Sequence, residues 1–273
     1  MMLAPPARAV AALGRLLEQE TGQQLAESRR WRIETSLRPL MRDHGIATLD
    51  GLLDAIEHDP TGMLRAATLD AMLNHESFFF RDIAVFRAIE TRVLPHLHAS
   101  APERQLRIWS AGCSTGQEAY SIAMILKRMG AMWDGWRISI LATDVSPIAI
   151  DKARTGIFPQ MDMQRGLPIN ELLRWFTPHG RDWRISDELR QMIGFRADNL
   201  LAPQNVSGPF DLVLCRNVLF YFPEAQRRQA ELELARRTRA GGFLLLGAGE
   251  MLGSRQAGFV SCRDMSCIYA ATD

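Results

Sequence analysis

The chain has 273 residues, 47% of them hydrophobic and 23% charged, with a formal net charge of +1. That length accommodates one large or two modest domains, and the composition is that of an ordinary globular chain. A near-neutral balance gives no general case for nucleic acid, and the lack of any apolar run of about 18 residues argues against direct membrane insertion, so an electrostatic partner has to be read from local patches.

The opening MMLAPPARAV has neither a long apolar core nor an A-x-A site. It does not read as a signal peptide, and a cytoplasmic location is expected. Val10, Leu13 and Leu17 then fall at helical spacing, as do Ile33, Leu37, Leu40 and Met41, with Gly45 placed to stop the second helix. Leu49, Leu52, Leu53 and Ile56 mark a third helix and Met63 to Leu73 a fourth. Residues 1–82 are therefore expected to form a small helical domain. On the second helix Arg32, Arg38 and Arg42 project away from the apolar stripe with Trp31 among them. That face reads either as solvated or as a docking surface for an acidic partner, since Trp and Arg are enriched at interface hot spots.

The segment Asn74–Asp82, NHESFFFRD, carries three consecutive phenylalanines, which cannot share one face of a regular element. A buried linker would explain them. It would also make Arg81 a cation held in place by aromatic packing, suited to a carboxylate. Phe86, Ile89 and Val93 predict a helix ending near Pro95, and a polar linker completes residues 83–105.

From Leu106 the pattern alternates between strand and helix, which predicts an α/β fold with a mostly parallel, doubly wound sheet over residues 106–273. Strands are expected at Leu106–Ala111, Arg137–Thr143, Ile193–Ala197, Phe210–Cys215 and Phe243–Leu246, the last after a turn at Gly241-Gly242. Two tail strands, near Gly258 to Val260 and Cys267 to Ala271, should form an antiparallel edge. A charged helix is expected from Pro223 to Arg239. Residues 156–192 break the alternation as an insertion holding a helix (Asn170 to Phe176) and a polar strand (Trp183 to Ile185). The four cysteines, Cys113, Cys215, Cys262 and Cys267, show no C-x-x-C spacing. Cys113 and Cys215 fall near strand ends and read as buried free thiols.

The stretch LRIWSAGCSTGQEAY is strand, glycine turn, helix. It can be a cofactor loop or, because Gly112 to Gly116 matches G-x-S-x-G, a nucleophile elbow. An elbow needs a histidine downstream; only His179 follows Ser114, and it lies in the insertion. No His, Cys and Asp grouping has metal-ligand spacing, so no metal is expected. Ligands of open parallel sheets bind beyond the carboxyl ends of the strands. Those ends offer Gly112, Ser114, Gly116 and Glu118, then Asp144, then Asp198 and Asn199, then Arg216 and Asn217. Asp144 is placed to accept hydrogen bonds from ribose hydroxyls. Glu118, in the first helical turn, would repel a pyrophosphate but suits the ammonium of a methionine moiety. The loop therefore fits S-adenosylmethionine better than a dinucleotide.

The segments NHESFFFRD, IWSAGCSTGQEAYSIAM, LATDVSPIAIDKARTGIF, FRADNLL, FDLVLCRNVLFYF and GGFLLLGAGE, in this order, resemble the CheR-type methyltransferases, which methylate glutamate side chains of bacterial chemoreceptors. The resemblance spans nearly the whole chain. It implies a class I S-adenosylmethionine methyltransferase sheet, a helical N-terminal domain and a small antiparallel β-subdomain in the insertion. Carried over by position, His75 and Ser77 stand where the family has Asn and Thr, and Arg81 stands beside the sulfonium and substrate. Glu118 would meet the methionine ammonium, Asp144 the ribose, and Asn199 with Leu200 the adenine. Arg216 and Asn217 match the family's Arg-Asn pair, and Tyr221 its active-site tyrosine. The implied chemistry is attack of a glutamate carboxylate on the sulfonium methyl, leaving S-adenosylhomocysteine. Arg81 and Tyr221 are the expected catalytic residues. The implied partner is the receptor's cytoplasmic helical bundle, met by Arg32, Arg38, Arg42 and the β-subdomain. The rival readings are a methyltransferase for another substrate and an S-adenosylmethionine-binding regulator.

Overall fold

The computed structural model describes residues 7–25, 33–101, 103–253, 258–262 and 265–272. Two compact units are formed, Met1–His75 with Phe220–Arg227, and Glu76–Leu219 with Arg228–Asp273.

The smaller unit contains α1 (Ala7–Thr21), α2 (Ile33–Asp43), α3 (Leu49–Glu57) and α4 (Met63–Met72). Their apolar stripes meet in one core of Leu13, Leu37, Leu52, Ile56 and Leu64. Thr48 caps α3, its hydroxyl accepting from the Gly51 amide at 3.1 Å. After α2 the chain reverses at Gly45, where the Ile46 amide donates to the Met41 carbonyl at 2.8 Å.

The larger unit opens with α5 (Ile83–Ala88), one π turn (Ile89–Val93) and α6 (Leu94–Ser100). Pro95 does not end this helix as the sequence suggested. It sits in the first turn of α6, where a missing N–H costs little, and the π turn ahead of it widens the backbone. There follow β1 (Gln105–Ala111), α7 (Gln117–Met129), β2 (Arg137–Asp144), α8 (Pro147–Thr155), β3 (Ile157–Pro159), α9 (Gln160–Met163) and α10 (Ile169–Trp175). Then come β4 (Phe176–His179), β5 (Asp182–Ile185), α11 (Asp187–Arg190), β6 (Ile193–Ala197), β7 (Phe210–Cys215), α12 (Glu224–Arg237), β8 (Thr238–Leu246), β9 (Phe259–Cys262) and β10 (Met265–Ala271).

Seven strands pair in the order β6-β2-β1-β7-β8-β10-β9. The first five are parallel, and β10 and β9 add antiparallel pairings at one edge. Chain order runs outward from β1 in both directions, so the sheet is doubly wound and its switch point lies beside β1. β7, central and covered on both faces, is buried at every position, which is why FDLVLC reads as an unbroken apolar run. The insertion forms a second sheet, β3-β5-β4, with antiparallel pairings.

Two boundaries differ from expectation. Phe176 leaves the helix and starts β4, because its ring packs edge-on against Phe79 at 5.4 Å. Gly241-Gly242 is not a turn before β8 but a bulge within it. Between Thr238 and Phe243 the strand advances five residues while its partner advances two, from Phe210 to Leu212, and α12 accordingly stops at Arg237.

Candidate active site

Within the larger unit, the carboxyl ends of β1, β2, β6 and β7 carry the loop residues singled out in the sequence. The Gly112 and Cys113 amides both donate to the Thr143 carbonyl, at 2.8 and 2.9 Å, turning the chain sharply off β1. Gly112 has a φ of 77°, and a Cβ there would stand 2.4 Å from Val218 Cγ2, so any other residue would be strained and would have to displace Val218. Ser114, also left-handed at φ 50°, donates its amide to Asp144 Oδ2 at 2.8 Å. Asp144 Oδ1 accepts from the Ser146 amide at 3.0 Å. The end of β2 therefore anchors the loop after β1. The end of β6 joins it, the Asp198 amide donating to the Asp144 carbonyl at 2.9 Å. Asn199 Oδ1 accepts from the Leu201 amide, which folds Asn199 and Leu200 into a tight half-buried turn.

The elbow reading needs His179 beside Ser114. His179 lies exposed on β4, paired with Asp182 in the small sheet. Burial pushes the Cys113 thiol well above its ordinary range, and the Asp144 and Glu118 carboxylates push it further, so it is no thiolate nucleophile. The Cys215 thiol is raised in the same way by burial, then by Glu250 and Glu118. Among the described residues, no group of three or more His, Cys, Asp or Glu side chains lies together as metal ligands would.

Beneath the loop lies an ion cluster that spacing in the sequence does not reveal. The Arg216 guanidinium donates to Glu118 Oε2 at 3.2 Å, to Asp82 Oδ2 at 2.7 Å and to the Arg81 carbonyl at 2.7 Å. It also lies over the Phe86 ring, 5.3 Å from the centroid. Glu118 Oε1 accepts from the Ser110 hydroxyl at 2.7 Å. The Arg216 side chain is 2% exposed, against 13% for Glu118 and 36% for Asp82. Two carboxylates face one guanidinium, so the spot keeps one surplus negative charge, and its exposed edge is carboxylate.

Next to it, Asn217 adopts φ 61°. Glu250, missed in the sequence beyond its place in GGFLLLGAGE, holds that conformation. Its two oxygens accept from the amides of Asn217 at 2.6 Å, Val218 at 3.0 Å and Gly247 at 2.9 Å. Asn217 Oδ1 is buried without a hydrogen-bond partner, an acceptor available to a ligand.

The phenylalanines of NHESFFFRD go three ways. Phe79, fully buried, packs against Phe158 and Phe176 of the insertion, and Phe80 packs against Phe86 of α5. Phe78 faces outward under two guanidiniums, those of Arg81 at 5.5 Å and Arg165 at 4.1 Å from its ring centroid. Arg81 Nη1 donates to the Glu76 carbonyl at 2.8 Å. Arg81 forms no ion pair among the described residues. Ser77 lies half-buried in the same extended segment.

His75 and Tyr221 belong to the smaller unit. His75 Nε2 lies 3.0 Å from Asp70 Oδ1 and 3.1 Å from the Asp70 carbonyl, turned back on the end of α4. The Tyr221 hydroxyl accepts from Asn74 Nδ2 at 2.5 Å, and the Tyr221 carbonyl accepts from the Gln24 amide at 2.8 Å. On α2, Arg38 and Arg42 are exposed, each beside an acid, Glu34 at 3.5 Å and Asp43 at 3.3 Å. Trp31 and Arg32 lie outside the described residues.

The donor set of the larger unit fits S-adenosylmethionine: a surplus carboxylate for an ammonium, an unpartnered amide oxygen, and an acid at the end of β2. The family model and the relatives agree. Residues 75–267 match the family model of the CheR methyltransferase, SAM binding domain. Over 242 residues the chain is 36% identical to the chemotaxis protein methyltransferase Cher2 of Pseudomonas putida, covering 86% of this chain and 87% of that protein. Over 245 residues it is 35% identical to chemotaxis protein methyltransferase 1 of Vibrio cholerae, covering 87% of each. A solved TehB-like SAM-dependent methyltransferase of Corynebacterium glutamicum matches 70% of this chain and 94% of its own at 18% identity and a TM-score of 0.38. The chain belongs to the CheR methyltransferase family, with a class I type of sheet and S-adenosylmethionine as its cofactor.

Proposed function

We propose that the protein transfers the methyl group of S-adenosylmethionine to glutamate side-chain carboxylates of bacterial chemoreceptors, forming glutamyl methyl esters. The observation that carries this reading is Arg81. Its guanidinium rests on Phe78, spends one N–H on the Glu76 carbonyl, and has no carboxylate partner among the described residues. A cation with spare donors beside a surplus-acid pocket suits an anionic acceptor next to a cationic donor. The relatives, named as chemotaxis protein methyltransferases, support a role in chemotaxis. A receptor bundle rich in glutamate would meet the exposed arginines of α2 and the β-subdomain, and methylation of its cytoplasmic part places the enzyme in the cytoplasm. No helix among the described residues is long and apolar enough to cross a membrane.

Bound S-adenosylmethionine supplies an electrophilic methyl on a sulfonium. In this reading Glu118 accepts from the methionine ammonium, and Asp144 from the ribose hydroxyls. Asn199 and Leu200 border the adenine, and Ser77 and His75 stand at the remaining cofactor-side positions. Gly112 keeps the loop open, and Asn217 Oδ1 takes a cofactor donor. Arg216 works from beneath, because its side chain is almost fully buried; contact with the cofactor at that position falls to its backbone. Substrate carboxylates ionise near pH ~4.3, so at neutral pH the nucleophile needs no general base. What remains is positioning. Arg81 and the Tyr221 hydroxyl orient the carboxylate and offset its desolvation, with Arg81 gripping weakly enough to leave a lone pair free.

Arg81→Ala and Tyr221→Phe are each expected to lower kcat for receptor methylation by roughly 10- to 100-fold. S-adenosylhomocysteine affinity, read by calorimetry, should stay within about twofold. Wild-type transfer in both variants would remove the assignment.

A further inference from the structure

Among the described residues the Arg81 guanidinium meets the Glu76 carbonyl and the Phe78 ring, and both lie in a segment held from outside by the insertion. Arg165, which follows α9, donates Nη2 to Glu76 Oε1 at 2.7 Å and covers the Phe78 ring at 4.1 Å. Its neighbour Gly166 has φ 77°, and a Cβ there would stand 2.1 Å from the Phe79 carbonyl oxygen, so the two backbones touch. Phe79 itself is locked into the insertion by Phe158 at 5.0 Å and Phe176 at 5.4 Å. One turn earlier, Asp162 accepts from Gln117 Nε2 at 3.3 Å, and Gln117 is the first residue of α7, next to Glu118. Both guanidiniums thus share one ring, and the Glu76 residue serves both, by its carbonyl for Arg81 and by its carboxylate for Arg165.

We propose that Arg165 is a positioning residue for methyl transfer: carried by the inserted subdomain, it fixes Glu76 and Phe78, and through them the direction in which Arg81 presents its free donors. The inference rests on the reading of Arg81 as the carboxylate-orienting cation. Its consequence is that the insertion is part of the catalytic framework as well as a surface. A shift of β3 and α9 relative to the sheet would move Arg81, and through Asp162 and Gln117 it would also reach the start of α7.

The Arg165 side chain is 55% exposed, so truncating it should leave the fold intact. Single-turnover transfer of tritiated methyl to a receptor cytoplasmic fragment is measured for Arg165→Ala, Glu76→Gln, Arg81→Ala and the doubles. Arg165→Ala and Glu76→Gln are each expected to slow transfer about tenfold, with unchanged cofactor KM, unchanged receptor KM and unchanged melting temperature. In the Arg81→Ala background, Arg165→Ala should change nothing further, because its effect passes through Arg81. Wild-type turnover in Arg165→Ala would overturn the inference. So would a raised receptor KM at unchanged kcat, which would mark a docking contact, or a loss undiminished in the Arg81→Ala background, which would mark an independent substrate cation. If Arg81→Ala itself transfers at the wild-type rate, the underlying reading fails instead.

Discussion

Removing the buried cation of the site, by Arg216→Met, tests the electrostatic layout most sharply. The side chain is 2% exposed and bridges Glu118, 13% exposed, and Asp82, 36% exposed. Breaking a buried pair by deleting one partner costs about 3–5 kcal/mol, because the remaining charge is left without compensation. Asp82 is open enough for water to replace its partner, so the lower end applies, about 3 kcal/mol. For a chain of this size that lowers the melting temperature by roughly 6–12 °C. Arg216→Lys keeps the charge but cannot fork to two carboxylates and the Arg81 carbonyl, so it should fall between. Adding Asp82→Asn to Arg216→Met removes one stranded charge and should recover part of the loss. Differential scanning calorimetry reads all four proteins. A melting temperature for Arg216→Met within about 2 °C of wild type would refute the claim that Arg216 holds the site together from beneath.

Gly112→Ala puts a methyl 2.4 Å from Val218 Cγ2 at a left-handed φ. It should cost about 2–4 kcal/mol by thermal melting, and a second change, Val218→Ala, should return the steric share and leave about 1 kcal/mol for the backbone strain. Burial raises the Cys113 and Cys215 thiols well above the ordinary thiol range. They therefore stay protonated where the unfolded thiols would ionise. The stability they contribute is complete below pH about 9 and is lost as the pH climbs beyond it, because the unfolded chain then releases protons that the folded chain keeps. Thiol labelling in native buffer should reach the half-buried Cys262 and Cys267 first, with Cys113 and Cys215 reacting only on unfolding; early labelling of Cys113 would contradict its burial.

The strands of the large sheet were legible because parallel strands buried on both faces read as short apolar runs bounded by glycine and polar residues, as FDLVLC does. Their carboxyl ends followed directly, and with them Gly112, Glu118, Asp144, Asn199 and Asn217. The partnerships at those ends were not legible. Arg216 meets Asp82 across 134 positions and Glu118 across 98, and Arg165 meets Glu76 across 89, distances over which no periodicity carries information. Glu118 could be read as a free acid; its pairing with Arg216 and Ser110 appears only when β1, α7 and β7 are packed together. Pro95 and Gly241-Gly242 misled for local reasons, since a π turn absorbs the one and a bulge the other.

The most direct measurement is the chemical nature of the methylated product. Purified protein is incubated with methyl-labelled S-adenosylmethionine and a chemoreceptor cytoplasmic fragment, and the labelled fragment is treated with base. Carboxyl methylation predicts that the label leaves as volatile methanol, and that labelling falls when the acceptor glutamates are changed to alanine. Label that stays in a base-stable product, or that enters the fragment equally without those glutamates, would contradict the account.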